Sequence, residues 1–456
     1  MSKNREVAVQ KNGITEGVIW QQILLFFFPI LFGTFFQQLY NTADAIIVGR
    51  FVGKEALSAV GGTTGTLINL LVGFFVGMSS GSSVVVSQYY GAENTEMVKK
   101  SVHTAFCLAI CGGVCLMVIG QVFAPMAIRA MGTPEEIIDY SVTYIRIYFM
   151  GVIGNLLYNM GAAILRAVGD SKRPLYFLIC ACLTNIVLDI LFVVVLKMGV
   201  AGAALATILS QAMAAGLVLF TLMRSGDSYR FEIKSLKMDK IILKKIIQIG
   251  LPAGLQSMMY SISNIVIQAN INGFGTNTIA AWAVFGKIDG IFWMTMDALS
   301  ISITTFAGQN YGARKIDRLK KGTYVGLGLT VIATAIMAGA VYTFGTAISS
   351  LFTDDPMVLA DSMTIIKFQA PFWFCYACVN VFPSTLRGIG DALVPMLIIC
   401  VGTCVLRVVW IFTACAAYPV LYTTLFSYPL SWSVTSIAFL IYYYRFSAMR
   451  KLTKMA

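Results

Sequence analysis

The sequence predicts an all-α integral membrane protein, with twelve transmembrane helices in two six-helix halves around a central cavity. Three observations carry that prediction. Apolar residues make up 58% of the chain, charged residues only 12%, and mean hydropathy is +0.78; soluble domains average about 45–50% and about 25%. Second, the chain repeats itself. Gln88-Tyr89-Tyr90-Gly91-Ala92 returns as Gln309-Asn310-Tyr311-Gly312-Ala313, and Arg166-Ala167-Val168-Gly169-Asp170 as Arg387-Gly388-Ile389-Gly390-Asp391, both at an offset of 221. Third, Lys and Arg crowd alternate loops, as the positive-inside rule requires.

Hydropathy and breaker residues place the spans at roughly 18–48, 57–86, 101–121, 137–160, 175–196, 200–223, 246–270, 279–305, 322–344, 358–382, 395–417 and 420–444. Each reaches the ~20 residues that cross a bilayer core as a helix. The first follows a short basic segment and is too long for a secretory signal, so it reads as an uncleaved span. Pro29 lies inside it, removes a backbone hydrogen bond and marks a hinge or a static kink. The seventh span carries Pro252 in step. A one-residue slip then aligns Gly53-x-x-x-Leu57 with Gly275-x-x-x-Ile279.

Six spans per half is an even number, so the halves are parallel repeats. They are assigned as an N-lobe over 1–223, a cytoplasmic linker over 224–245 and a C-lobe over 246–456. Leu236, Ile241 and Leu243 of the linker suit a short interfacial helix. With both termini in the cytoplasm, the inner segments hold 25 Lys and Arg and the outer loops hold four: Arg50, Lys54, Arg129 and Lys197. The net charge of +12 is therefore mostly topology, on a multi-pass inner-membrane protein, and not a nucleic-acid surface.

Enzyme classes fare poorly. Gly77-Met78-Ser79-Ser80-Gly81 matches a nucleophile-elbow pattern but sits inside a span, and His103 is the one histidine. His103, Cys107, Cys111 and Cys115 share a helix face, yet one straight helix cannot wrap four ligands around an ion. No phosphate-binding loop with Lys-Ser/Thr is present. The ten cysteines lie mostly in spans and read as packing residues, without a disulfide framework.

Charges in lipid are costly and need a reason. The acids inside spans are Asp44, Asp189, Asp289 and Asp297; the bases are Arg146, Lys287, Lys367 and Arg407. Arg146 and Lys367 are repeat partners, which favours a shared structural task. Asp44 and Asp189 differ, because the second half offers Ile267 and Trp410 at the matching positions. A feature present in only one copy points to function more than to architecture. At 1.5 Å per residue, Asp44 lies ~6 Å and Asp189 ~10 Å from the outer ends of their spans, with Thr207 ~10 Å into the sixth. Asn185 shares a helical face with Asp189. Such oxygens suit Na⁺, and a close carboxylate pair equally suits a shared proton.

Tyr40-Asn41-Thr42-Ala43-Asp44 with Gly49 and Gly53, followed by the two repeated motifs, resembles the multidrug and toxic compound extrusion (MATE) family over about 18–445. The resemblance implies two six-helix lobes in a V and cation-coupled antiport, by Na⁺ or H⁺, of organic and often cationic compounds. It also implies an N-lobe cation site of Asp44, Asn185, Asp189 and Thr207, with Tyr144 joining the network. A branch of the family relies on a Glu in the seventh span; Gln256 stands near that place here. Phe36, Tyr40, Gln256, Met258, Met259, Asp289, Trp293 and Met296 are candidates for the substrate cavity. Met in particular suits promiscuous surfaces. A lipid-linked oligosaccharide flippase of the same superfamily is the alternative. It should show a strongly cationic cavity, and only four bases lie inside the predicted spans. The expected partners are a small organic substrate, a coupling cation and the bilayer, with no cofactor, and the chain is expected to be a monomer.

Overall fold

The computed structural model describes residues 13–455, which form two helical lobes meeting in a V. The N-lobe contains α1 (Ile19–Phe51), α2 (Lys54–Gly61), α3 (Thr63–Gly91), α4 (Thr95–Ala130), α5 (Glu135–Ala167), α6 (Lys172–Asp189) and α7 (Gly199–Arg224). The C-lobe contains α8 (Lys240–Ile271), α9 (Thr276–Gly312), α10 (Ile316–Ser349), α11 (Pro356–Gln369), α12 (Tyr376–Gly388), α13 (Leu393–Ile399), α14 (Leu406–Trp410), α15 (Leu421–Arg445) and a terminal α16 (Ala448–Met455).

The duplication extends to backbone detail. Left-handed residues recur in step: Glu93 at φ 56° and Arg314 at φ 57°, then Gly169 at φ 97° and Gly390 at φ 94°. The slipped motif does the same, for Gly53 at φ 126° and Gly275 at φ 96° precede α2 and α9. A side chain is disfavoured at such φ values, so glycine fixes both corners. A π-turn extends α6 over Ile190–Val195, and a second occupies Ile411–Cys415 at the matching place.

Two expectations need correction. The second span is not one helix: it breaks at Gly62, where the Gly62 N–H donates to Ser58 O and the Thr64 hydroxyl bonds Ala59 O and Val60 O. The linker has no interfacial helix of its own. Leu236 follows a single 3₁₀ turn at Ile233–Ser235, while Ile241 and Leu243 already belong to α8. His103 pins this linker to α4: Nδ1–H donates to Lys99 O at 2.7 Å, and Nε2 accepts the Glu232 N–H at 3.1 Å.

Among the described residues, eleven helical passages are long and apolar enough to cross a membrane. The remaining passage, α8, carries Gln256, Ser257, Ser261, Asn264 and Gln268 along the cavity, which dilutes its hydropathy. Helices that face water inside a membrane protein need not look like lipid-facing ones.

The lobes exchange the first turns of their opening helices. Ile23, Phe26, Phe27 and Ile30 of α1 belong to the C-lobe core, with Phe285, Phe292 and Phe306. Ile242, Ile246 and Ile249 of α8 belong to the N-lobe core, with Val84, Phe106 and Ile164. Beyond Pro29 α1 returns to its own lobe, where Val48 packs with Tyr144, Phe149 and Val193.

Most Lys and Arg residues flank the loops at 91–95, 167–172, 224–240, 312–316 and 388–393, and there the lobes interlock. Gln88 Nε2 donates to Gly388 O at 2.8 Å, and Gln309 Nε2 donates to Ala167 O at 2.7 Å. Donors and acceptors are repeat partners, so each Gln-x-Tyr-Gly motif grips the Arg-x-x-Gly-Asp motif of the other lobe. Close backbone approach makes this possible. A Cβ on Gly91 would overlap the Gln309 backbone, and one on Gly312 the Gln88 backbone. Deeper in, Gly77 faces Gly254 and Gly81 faces Gly250 in the same manner. Small residues are what permit such contact where apolar burial gives little driving force. From this floor the lobes diverge toward the opposite end.

Candidate functional site

A cavity of about 1200 Å³ fills the cleft and reaches Val60, Gly61 and Gln268 near the open end. Its N-lobe wall presents Asp44, Tyr144 and Thr207. Directly behind, Asn185 and Asp189 of α6 are fully buried and do not reach the cavity wall. Asp44 is 6% exposed and close enough to Asp189 for their charges to interact. Tyr144 and Thr207 share that wall, and the Thr207 hydroxyl donates to Ala203 O at 3.0 Å.

What this cluster lacks is partners. Asp44 Oδ1, both Asp189 carboxylate oxygens and both polar side-chain atoms of Asn185 are buried without a hydrogen-bond partner. None of the ion pairs among the described residues involves either aspartate. Buried polar atoms are almost always satisfied, so a cluster of orphans calls for a ligand. Four oxygen-bearing side chains without a competing Lys or Arg fit a small hard cation or a proton. The arrangement has two depths: Asp44 borders the cavity, and Asp189 lies buried behind it.

The other candidates divide by helical phase. Tyr40, Gln256, Asp289 and Trp293 line the cavity, as does Pro29. Phe36, Met258, Met259 and Met296 do not. On α1 the wall positions include 33, 37, 40, 41 and 44, which turns Phe36 away. On α8 they include 253, 256, 257, 260 and 264, leaving Met258 and Met259 to the side. Met296 is 1% exposed inside the C-lobe core, where its carbonyl accepts from Asn380 at 3.1 Å. Asp297 lies open to the cavity, near enough to Arg387 for their charges to interact. Arg146 and Lys367 point outward from the bundle instead of toward the cleft.

Two charged cavity residues escape the sequence reading. Arg166 and Arg387 belong to the repeated Arg-x-x-Gly-Asp motif and were assigned to cytoplasmic segments, but both line the cavity floor. The signal was their recurrence; hydropathy ended the spans too early, at 160 and 382, whereas α5 and α12 run on to Ala167 and Gly388.

A family model described as MatE matches twice, over residues 29–191 and 252–413. The chain belongs to the MATE family of membrane transporters. The probable multidrug resistance protein YoeA of Bacillus subtilis (strain 168) is 32% identical over 388 residues, covering 83% of each chain. The multidrug export protein MepA of Staphylococcus haemolyticus (strain JCSC1435) is 22% identical over 84% of this chain and 82% of its own length. A solved outward-facing MATE transporter superposes with a TM-score of 0.89 at 23% identity, covering 98% of this chain and 99% of that one. One matched segment of this MATE protein falls within each lobe, in step with the internal repeat.

Proposed function

We propose that this MATE protein is a secondary antiporter that exports organic, cationic amphipathic compounds in exchange for Na⁺ or H⁺. The observation that carries the proposal is the buried, unpaired carboxylate pair Asp44–Asp189, present in one lobe only. The end rich in Lys and Arg is closed, and the positive-inside rule assigns that end, with both termini, to the cytoplasm of an inner membrane. The cleft is then open outward. The chain acts as a monomer, since the cleft is complete within one copy.

In this state a cation from outside meets Asp44 first and passes to the Asp189–Asn185 oxygens behind it. Neutralising this pair alters how α1 packs beyond Pro29, and the bound organic compound loses affinity for the wall. The lobes then part at the cytoplasmic floor, the cation leaves inward, and a new substrate enters. Exchange of one cation for one singly charged compound moves no net charge, so the concentration gradient of the coupling ion drives it; each further inward charge would add about 2.3 kcal/mol per 100 mV.

The test is efflux of a fluorescent cationic dye from energised vesicles under separately imposed Na⁺ and pH gradients. One of the two gradients should drive efflux in the native protein and neither in Asp44→Asn. Normal gradient-driven efflux by Asp44→Asn would refute the assignment.

A further inference from the structure

Apart from the cleft, the structure forms a second cavity, of about 380 Å³, at the basic end of the N-lobe. Arg173 from the first turn of α6 and Arg224 from the end of α7 border it, with Ser225 and Asp227 of the turn that follows. That turn is fixed. The Asp227 N–H donates to Ser225 Oγ at 3.2 Å, the Arg230 N–H to Asp227 O at 3.0 Å and the Phe231 N–H to Leu222 O at 3.1 Å. Phe231 then packs on Phe106 of the N-lobe core, at 4.5 Å between ring centres. Arg173 is paired with Asp170 at 3.2 Å, whereas the Arg224 guanidinium lies over the Phe220 ring, 4.4 Å from its centre. Among the described residues neither Arg224 nor Asp227 has an ion-pair partner. A guanidinium and a carboxylate thus share one small cavity without neutralising each other.

Beside this charged mouth the two helices leave a recess toward the lipid. Thr184 Oγ1 donates to Met213 Sδ at 3.3 Å, which sets the register of the antiparallel α6–α7 pair. Counting from that bond toward the basic end, Cys180 comes near the level of Gly216, Tyr176 near that of Phe220 and Arg173 at that of Arg224. All six are exposed. On a pair of spanning helices an exposed apolar face meets acyl chains. A Cβ on Gly216 would find nothing within 4 Å, so the surface is hollow there. The larger Tyr176 and Phe220 bound the hollow on the side of the cavity, and the exposed Leu183 and Leu209 lie deeper.

We infer that cavity and recess together seat an aminophospholipid. Its phosphate meets Arg224, with Arg173 and the Ser225 hydroxyl; its primary ammonium meets Asp227; an acyl chain crosses Gly216 and Cys180. Basic pockets between spans at the inner face hold phospholipid head groups. Guanidinium–phosphate and ammonium–carboxylate contacts are both charge-assisted, and one head group with both charges answers both unpaired side chains. A purely anionic head group leaves Asp227 facing like charge, and a quaternary ammonium has no N–H to give it. Toward their other ends α6 carries Asn185 and Asp189, and α7 carries Thr207, so this lipid braces the two helices that present those oxygens. The inference does not depend on what the cleft exports.

The experiment follows lipid binding to the purified full chain in detergent by native mass spectrometry. Three dioleoyl lipids with identical chains are compared: phosphatidylethanolamine, phosphatidylcholine and phosphatidylglycerol. The native protein should bind the ethanolamine lipid about fivefold more tightly than either of the others. Arg224→Gln should lower that affinity about fivefold or more. Asp227→Asn should abolish the preference for ethanolamine over choline and the discrimination against glycerol. Gly216→Leu, which fills the recess, should weaken all three lipids about threefold. Arg230→Gln, on the same turn but outside the cavity, should change nothing. A loss there equal to that in Arg224→Gln would reduce the effect to general basic attraction and overturn the inference. So would a native protein that prefers phosphatidylglycerol or does not distinguish ethanolamine from choline. Glycerophosphoethanolamine carries the same charges without chains; displacement of the lipid by an equal concentration of it would make this a site for a soluble phosphoester and overturn the lipid assignment.

Discussion

The two lobes share their backbone to the level of single left-handed residues, yet their walls differ in charge. At one position the N-lobe has Asp44 and the C-lobe has Ile267, which is buried. Further along, the counterpart of Asp189 is Trp410, whose indole donates to Thr423 O at 2.8 Å. Near the same place, Arg407 replaces Ile186, and its Nη2 is buried without an acceptor. Duplication fixed how helices meet, and divergence then assigned orphaned oxygens to one wall and an orphaned guanidinium to the other. The lesson is that contacts repeated in both lobes report construction, whereas unmatched charges report use.

That comparison is most exposed at Asp44. Asp44→Asn should reduce gradient-driven dye efflux at least 100-fold with the protein still folded. Adding Ile267→Asp should not restore efflux, because the C-lobe lacks the Asn185 and Thr207 oxygens. Rescue in a vesicle assay would make the lobes interchangeable and break the contrast.

The symmetric floor gives the converse expectation, that equivalent changes have equal effects. Gly91→Val and Gly312→Val each force a side chain into the other lobe's backbone. Each should cut efflux by tenfold or more and expose a Ser300→Cys probe to a maleimide supplied from the basic end of inverted vesicles. Unequal exposure would show that the floor does not follow the repeat.

Smaller effects follow for Gln88→Ala and Gln309→Ala. Each loses one hydrogen bond, worth about 0.5–1.5 kcal/mol, so the same maleimide assay should shift about 2- to 10-fold in either variant. The smallest effect belongs to the linker, which has no C-lobe counterpart. Lys99 donates to Glu232 at 2.8 Å, and with Ser235 it holds that carboxyl below the usual range. Ionised Glu232 therefore contributes fully above its ordinary value of about 4.3, and the contribution is lost only as pH falls through the lower folded value. Limited proteolysis within 225–239 should rise as pH falls below about 4.3 in the native protein, and that acid-dependent rise should be lost in Glu232→Gln.

Much of this was legible in the chain. The repeat, the helical class and the convergence of Asp44, Asn185, Asp189 and Thr207 follow from offsets and rise per residue. The exchange of opening turns between α1 and α8 was not, because hydropathy says that Ile23 and Ile246 are buried but not by which lobe. Phe36, Met258 and Met259 failed for a related reason: composition names residue types suited to a cavity, and only helical phase says which way they point. Arg166 and Arg387 were hidden because a charge at a span's end reads as cytoplasmic even when the helix continues along a water-filled cleft. The polarity of α8 has the same origin.

The crossed glutamines also bear on leakage. Both bonds flank the line where the lobes meet, and each joins the same two bodies, so a rotation that stretches one stretches its twin. A half-released floor would strand a buried amide without water to satisfy it. Such a seam should part completely or stay shut, and a seam of that kind wastes few ions while the opposite mouth stands open.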